Sequence, residues 1–135
     1  MSHTEMSEGG FADGTSLDAL LDGAERLRAE AVGAVLVSRA SDPSLLVTEQ
    51  GAMEIRPPQV TTVDHHGGGD SMTAAVAVGL ARGLSLVDAA RLGAAAGALN
   101  VTRRGLGTGE RDQIERFARE VTVTPVGRSH RPRPD

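Results

Sequence analysis

The chain has no cysteine, no tryptophan and no tyrosine, and its only aromatic residues are Phe11 and Phe117. Without cysteine there is no disulfide framework and no thiolate metal site. With so few aromatics, the core must be built from Ala, Val and Leu, which suits helices packed closely on a sheet. Lysine is absent too, so all 14 basic residues are arginines, and the net charge of -4 argues against a general nucleic-acid binder. The start Met1-Ser2-His3-Thr4-Glu5 has no apolar leader core, and no apolar run reaches membrane-spanning length. A cytoplasmic protein with no membrane partner is the expectation. At 135 residues the chain fits one small domain with a single core.

Residues 1–14 are polar and glycine-bearing and read as a flexible N-terminus. A helix is predicted from Thr15-Ser16, with Asp18 as the capping-box partner of Thr15; Leu17, Leu20, Leu21, Ala24 and Leu27 recur along one stripe, and Gly33 ends it. Ala34-Val35-Leu36-Val37-Ser38 reads as a strand apolar on both faces, as in a parallel sheet. Leu45–Thr48 and Ala52–Arg56 read as two further strands joined through Glu49-Gln50-Gly51, and Val60–Val63 as a fourth. A helix is expected from Asp70 to about Arg82, stopped by Gly83. Another opens on a Ser85–Asp88 capping box and runs through Val101, so rich in Ala and Gly that close helix packing is expected. Thr108 is placed to cap a last helix, Glu110–Glu120, followed by an edge strand Val121–Thr124. The Arg/Pro tail, residues 127–135, reads as disordered. Strands alternating with helices indicate an α/β sandwich with mostly parallel strands, whose ligands bind beyond the strands' carboxyl ends.

The richest stretch is Asp64-His65-His66-Gly67-Gly68-Gly69-Asp70-Ser71-Met72. Glycines turn backbone N–H groups toward an anion without steric penalty, and the N-terminus of the following helix adds partial positive charge. An aspartate at the lip of such a nest is placed to accept a proton from a hydroxyl attacking a phosphate. From spacing alone Asp70 fits a helix N-cap equally well, and the glycines fit a surface turn. His65 and His66 are adjacent and therefore diverge, and nothing else in the chain has zinc-ligand spacing.

This stretch resembles the D-T-x-G-A-G-D-S-F signature of the PfkB/ribokinase family of carbohydrate kinases, and Gly97-Ala98-Leu99-Asn100-Val101-Thr102-Arg103-Arg104-Gly105 resembles that family's later A-x-x-V-T-R-x-G loop. Ser71–Ala74 and Ala98–Asn100 have the flavour of its 1-phosphofructokinase-like branch. The resemblance covers residues 15–126, as the C-terminal half of such a kinase. It implies a ribokinase-like three-layer sandwich with a mostly parallel sheet. It also implies ATP-dependent phosphorylation of a sugar or sugar phosphate, with Asp70 as the base. Gly67, Gly68 and Gly69 would stabilise the transferring phosphoryl group. Ser38 and Arg39, with Gly68 and Gly69, would contact the nucleotide, and Mg2+ would accompany ATP. Asp64 would help hold a monovalent cation, K+, together with carbonyls of His66, Asn100, Arg103 and Gly105.

The sequence departs from the family where Gly68 replaces alanine, where His65 replaces a hydroxyl residue, and where the nucleotide loop after Ser38 lacks both its glycines. A plain strand-to-turn transition there is the alternative. No N-x-x-E element, which the family ties to magnesium and phosphate, occurs, since the only asparagine is Asn100. The sugar-contacting first half is not found either. The isolated chain is therefore expected to turn over little or not at all. The alternative is a non-catalytic nucleotide-binding remnant, or a half-domain that pairs with itself or with a chain supplying the N-terminal half.

Overall fold

The computed structural model describes residues 1–39, 42–58, 68–102 and 111–126, with the backbone alone at 31, 32, 68–71, 100–102 and 111–113. The predicted strand Val60–Val63, the Thr108 cap and the tail 127–135 lie outside the described residues.

The chain begins with a helix. Residues 1–14 were expected to be loose, yet α1 (His3–Glu8) forms there, because Ser2-x-x-Glu5 is a reciprocal capping box. The Glu5 N–H donates to Ser2 Oγ at 3.1 Å and the Ser2 N–H donates to Glu5 Oε1 at 3.3 Å. Met6, fully buried, anchors the helix in the core. The chain then folds back, with the N–H groups of Phe11 and Ala12 both donating to the Met6 carbonyl at 2.9 and 3.0 Å. It crosses the next helix at Gly23, where any Cβ would run into the Phe11 carbonyl.

That helix, α2 (Leu17–Leu27), is capped by Ser16, whose Oγ accepts from the Ala19 N–H at 3.2 Å. The cap is one residue later than the sequence predicted. A wider π-type turn, Arg28–Val32, extends α2. Three strands follow: β1 (Ala34–Arg39), β2 (Asp42–Thr48) and β3 (Gly51–Arg56). Next come α3 (Gly68–Ala81), α4 (Leu86–Thr102), α5 (Arg111–Arg119) and β4 (Thr122–Pro125). The Ser85 cap stands as predicted, its Oγ accepting from the Asp88 N–H at 3.1 Å.

The described strands form one sheet in the order β1-β2-β3-β4, and every pairing between them is antiparallel. This corrects the expectation of a mostly parallel sheet. Apolar residues on both faces of β1 reported two-sided burial correctly but said nothing of strand direction. Two residues separate β1 from β2 and two separate β2 from β3, and so short a link permits only antiparallel neighbours.

Two cores explain the two-sided burial. Leu20, Leu21 and Ala24 of α2 pack with Met6 on Val35, Val37, Leu45 and Val47. On the other face Leu46 and Ile55 pack under Ala90, Ala94 and Ala95 of α4, with Val121 beside them. Burying each Leu, Ile or Val contributes about 1.5–3 kcal/mol. Helices on both faces of a sheet make three layers. In the outer layer α3 and α4 pack antiparallel at very short range, since a Cβ at Gly93 would stand 2.5 Å from Val76 Cγ2 and 2.9 Å from the Met72 carbonyl oxygen. Among the described residues no helix is long and apolar enough to cross a membrane.

Candidate functional site

The glycine-rich stretch passes into a helix two residues earlier than the expected start at Asp70. Gly68, Gly69 and Asp70 are the first three residues of α3, so their N–H groups have no intrahelical acceptor and sit at the positive end of a helix of 14 residues. Asp64, His65, His66 and Gly67 lie outside the described residues.

Two contacts locate this helix start. The Ser44 hydroxyl, near the beginning of β2, donates to Met72 Sδ at 3.8 Å. This sets the first turns of α3 against the end of the sheet where β1 finishes and β2 starts. Gly93 of α4 faces Met72 and Val76, while Gly79 of α3 faces Ala89. The same antiparallel register carries α4's last turn, with Asn100, level with the start of α3. The last carbonyls of a helix lack intrahelical donors, and those of α4 lie at the same end of the helix pair as the N–H groups that open α3. Arg103 and Gly105 lie outside the described residues.

Ser38 and Arg39 stand at the carboxyl end of β1, the same end of the sheet. Ser38 sits where the pairing of β1 with β2 shifts register, and its N–H donates to the Met1 carbonyl at 3.0 Å. Arg39 is engaged locally. Its Nε donates to the Pro43 carbonyl at 2.7 Å, and its Nη2 lies 3.8 Å from Glu54 Oε1. Glu54 is shared, its other oxygen lying 3.6 Å from Arg56 Nη2. The guanidinium thus ties the end of β1 to the first residues of β2 and to β3.

Ser2-x-x-Glu5 has the spacing of N-x-x-E with serine for asparagine, and Ser2 forms an isolated parallel bridge with Ser38. Hydrogen bonds from the Ser2 side chain and backbone hold the Glu5 carboxyl below its ordinary pKa. Its capping-box signature was the signal that could have marked it. Elsewhere, a hydrogen bond to Glu25 raises the pKa of Arg28. No group of three or more His, Asp or Glu suited to a metal occurs among the described residues.

The chain is 42% identical over 102 residues to the ATP-dependent 6-phosphofructokinase isozyme 2 of Mycobacterium tuberculosis, a match covering 76% of this chain and 29% of that protein. It is 30% identical over 123 residues to the 1-phosphofructokinase of Bacillus subtilis, covering 91% and 40%. Among solved structures it superposes on phosphofructokinase-2 from Escherichia coli in complex with potassium with a TM-score of 0.77 at 25% identity, covering 87% of this chain and 38% of that one. Ribokinase from Thermotoga maritima gives a TM-score of 0.73 at 27% identity, covering 87% and 39%. The chain thus spans well under half the length of the relatives it matches. The pfkB family carbohydrate kinase model matches residues 1–113, α1 included, and with the helix start at Gly68–Asp70 this places the chain in the pfkB family of carbohydrate kinases.

Proposed function

We propose that this chain carries the phosphoryl-transfer end of an ATP-dependent sugar-phosphate kinase, with Asp70 as the general base. The carrying observation is the opening of α3 at Gly68, which puts Asp70 in the first turn of the helix among N–H groups that have no intrahelical acceptor, in a chain whose relatives are phosphofructokinases.

Asp70 takes the proton of the acceptor hydroxyl as its oxygen bonds to the γ-phosphorus. The bond from that phosphorus to the β–γ bridging oxygen breaks, and ADP leaves. The N–H groups of Gly67, Gly68 and Gly69 stabilise negative charge on the phosphoryl oxygens, aided by the helix dipole. Ser38, at the same end of the sheet, would contact the nucleotide. Mg2+, arriving with ATP, would neutralise part of the charge on its phosphates. The donor set suits a hard cation: Asp64 supplies a carboxylate, and α4's last turn supplies carbonyl oxygens level with the α3 start. His66, Asn100, Arg103 and Gly105 would give theirs to K+, the ion named in the complex of the E. coli relative.

Calorimetric titration of the chain with ATP, magnesium chloride and potassium chloride tests the reading. Binding in the millimolar range or tighter is expected, changed less than about twofold in Asp70→Asn. With fructose 6-phosphate present, slow ADP release is expected, lowered about 10²–10⁴-fold by the same substitution. Absence of nucleotide heat together with absence of ADP release overturns the proposal.

A further inference from the structure

The pairing of β1 with β2 breaks at one place, beside the candidate site. The register runs through Val37↔Leu45 and resumes at Arg39↔Asp42. One residue of β1, Ser38, therefore stands against two of β2, Pro43 and Ser44. Two residues against one make a β-bulge, which bends its strand and re-aims its side chains. Proline, with no N–H to give to a ladder, suits such a place. Arg39 braces it, with Nε donating to the Pro43 carbonyl at 2.7 Å. On its other side Ser44 pairs with Ile55 of β3.

The bulge has a partner on α3. The Ser44 hydroxyl donates to Met72 Sδ at 3.8 Å, and Met72 is only 6% exposed. Its backbone and Cγ lie against α4, where a Cβ at Gly93 would stand 2.9 Å from the Met72 carbonyl oxygen and 3.2 Å from Cγ. The remainder of α3 packs chiefly on α4 and leaves Val78 and Leu80 open to 44% and 46%. Met72 lies two residues beyond Asp70, roughly 3 Å along the helix axis. Wherever Met72 is held, the backbone of Asp70 goes with it.

We propose that Ser44 and Met72 are positioning residues for phosphoryl transfer. The Pro43-Ser44 bulge aims the Ser44 hydroxyl at the thioether, and that contact fixes the first turn of α3 relative to Ser38 at the end of β1. Misplacing a reacting group by about 1 Å costs up to about 10²-fold in rate, so a hold close to the base matters more than one farther along the helix. Ser44 and Met72 act through the helix and not on substrate. The inference rests on the reading of Asp70 as the base.

Substitutions in the full chain test it. Ser44→Val and Ser44→Thr have nearly the same shape and differ in the hydroxyl. With ATP, magnesium chloride, potassium chloride and fructose 6-phosphate, ADP release is expected to fall about two- to tenfold in Ser44→Val, as loss of one hydrogen bond allows. Ser44→Thr is expected to keep the original rate, and both variants the original calorimetric affinity for ATP. Met72→Leu, which keeps bulk and removes the acceptor, should match Ser44→Val, and the double variant should lose no more than either alone, because the two share one contact. Hydrogen exchange of the amides of residues 72–76 should quicken in Ser44→Val and not in Ser44→Thr, a readout that needs no turnover. Circular dichroism checks that each variant folds.

Asp70→Asn is expected to lower ADP release and to leave that exchange unchanged. If it leaves ADP release unchanged, the base reading fails, while the exchange of Ser44→Val against Ser44→Thr still decides whether the contact holds the helix start. Equal impairment of Ser44→Thr and Ser44→Val, losses that multiply in the double variant, a loss confined to ATP affinity, or exchange that no variant alters would overturn the proposal.

Discussion

Helices α2 and α3 pack on opposite sides of the same sheet, and only one has a finished surface. α2 buries Leu20, Leu21, Gly23 and Ala24 and turns Asp18, Asp22, Glu25 and Arg26 outward. α3 buries Met72 and Gly79 but leaves Val78 and Leu80 nearly half exposed, with no charge along its length after Asp70. The first pattern belongs to a helix that ends against water. The second belongs to a helix built to lie between two neighbours, of which the described residues supply only α4. The contrast separates what holds this chain together from what it leaves uncovered.

Truncating one leucine on the finished side and one valine on the open side breaks the comparison most sharply. Leu20→Ala, at a fully buried position, is expected to destabilise the chain by about 2–5 kcal/mol. Val78→Ala is expected to change stability by no more than about 0.5 kcal/mol. Chemical denaturation monitored by circular dichroism measures both, and equal losses would show that α3's outer face is packed after all.

A smaller effect is expected where α3 meets α4. Gly93→Ala gains about 1 kcal/mol of helix propensity. However, its Cβ would stand 2.9 Å from the Met72 carbonyl oxygen, which is backbone and cannot swing away. Overpacking of this kind costs about 1–3 kcal/mol, so a net loss of about 1 kcal/mol is expected. A stabilised variant would mean that the two helices can slide apart.

The smallest effect concerns α1. The Glu5 pKa is lowered by its hydrogen bonds from Ser2, so the carboxylate contributes stability above its ordinary value of 4.5. That contribution is lost as the pH falls through the lowered folded-state value. The Ser2 and Glu5 amide resonances are expected to titrate with a midpoint below that of an ordinary glutamate, and Glu5→Gln should abolish the titration. A midpoint at the ordinary value would show that the capping box does not hold in solution.

Much of the fold was legible because its signals are local. Ser85 caps α4, Gly83 follows the end of α3, and Glu49-Gln50 turns β2 into β3; each depends on residues three or four apart. The Ala/Gly content of α4 announced a close neighbour, and Gly93 against Met72 is that contact. The Ser2-x-x-Glu5 box obeys the same local rule, although the polar residues around it carry no helical stripe of apolar side chains. The bearing of Asp64 and His66 on a cation rests on resemblance, since they lie outside the described residues.

By itself, then, the sequence determined the stretches in which α2, α3 and α4 form, the Ser85 cap and the glycines after α2 and α3, and the family its glycine-aspartate stretch belongs to. Tertiary structure decided the direction of the strands, because an apolar residue buried on either face looks the same in a parallel or an antiparallel neighbour. It also decided that Arg39 clasps Pro43 and Glu54, and that the end of β1, the start of α3 and the last turn of α4 share one end of the molecule. Those relations join residues far apart in sequence, and only the packing of two helices across a sheet brings them to one place.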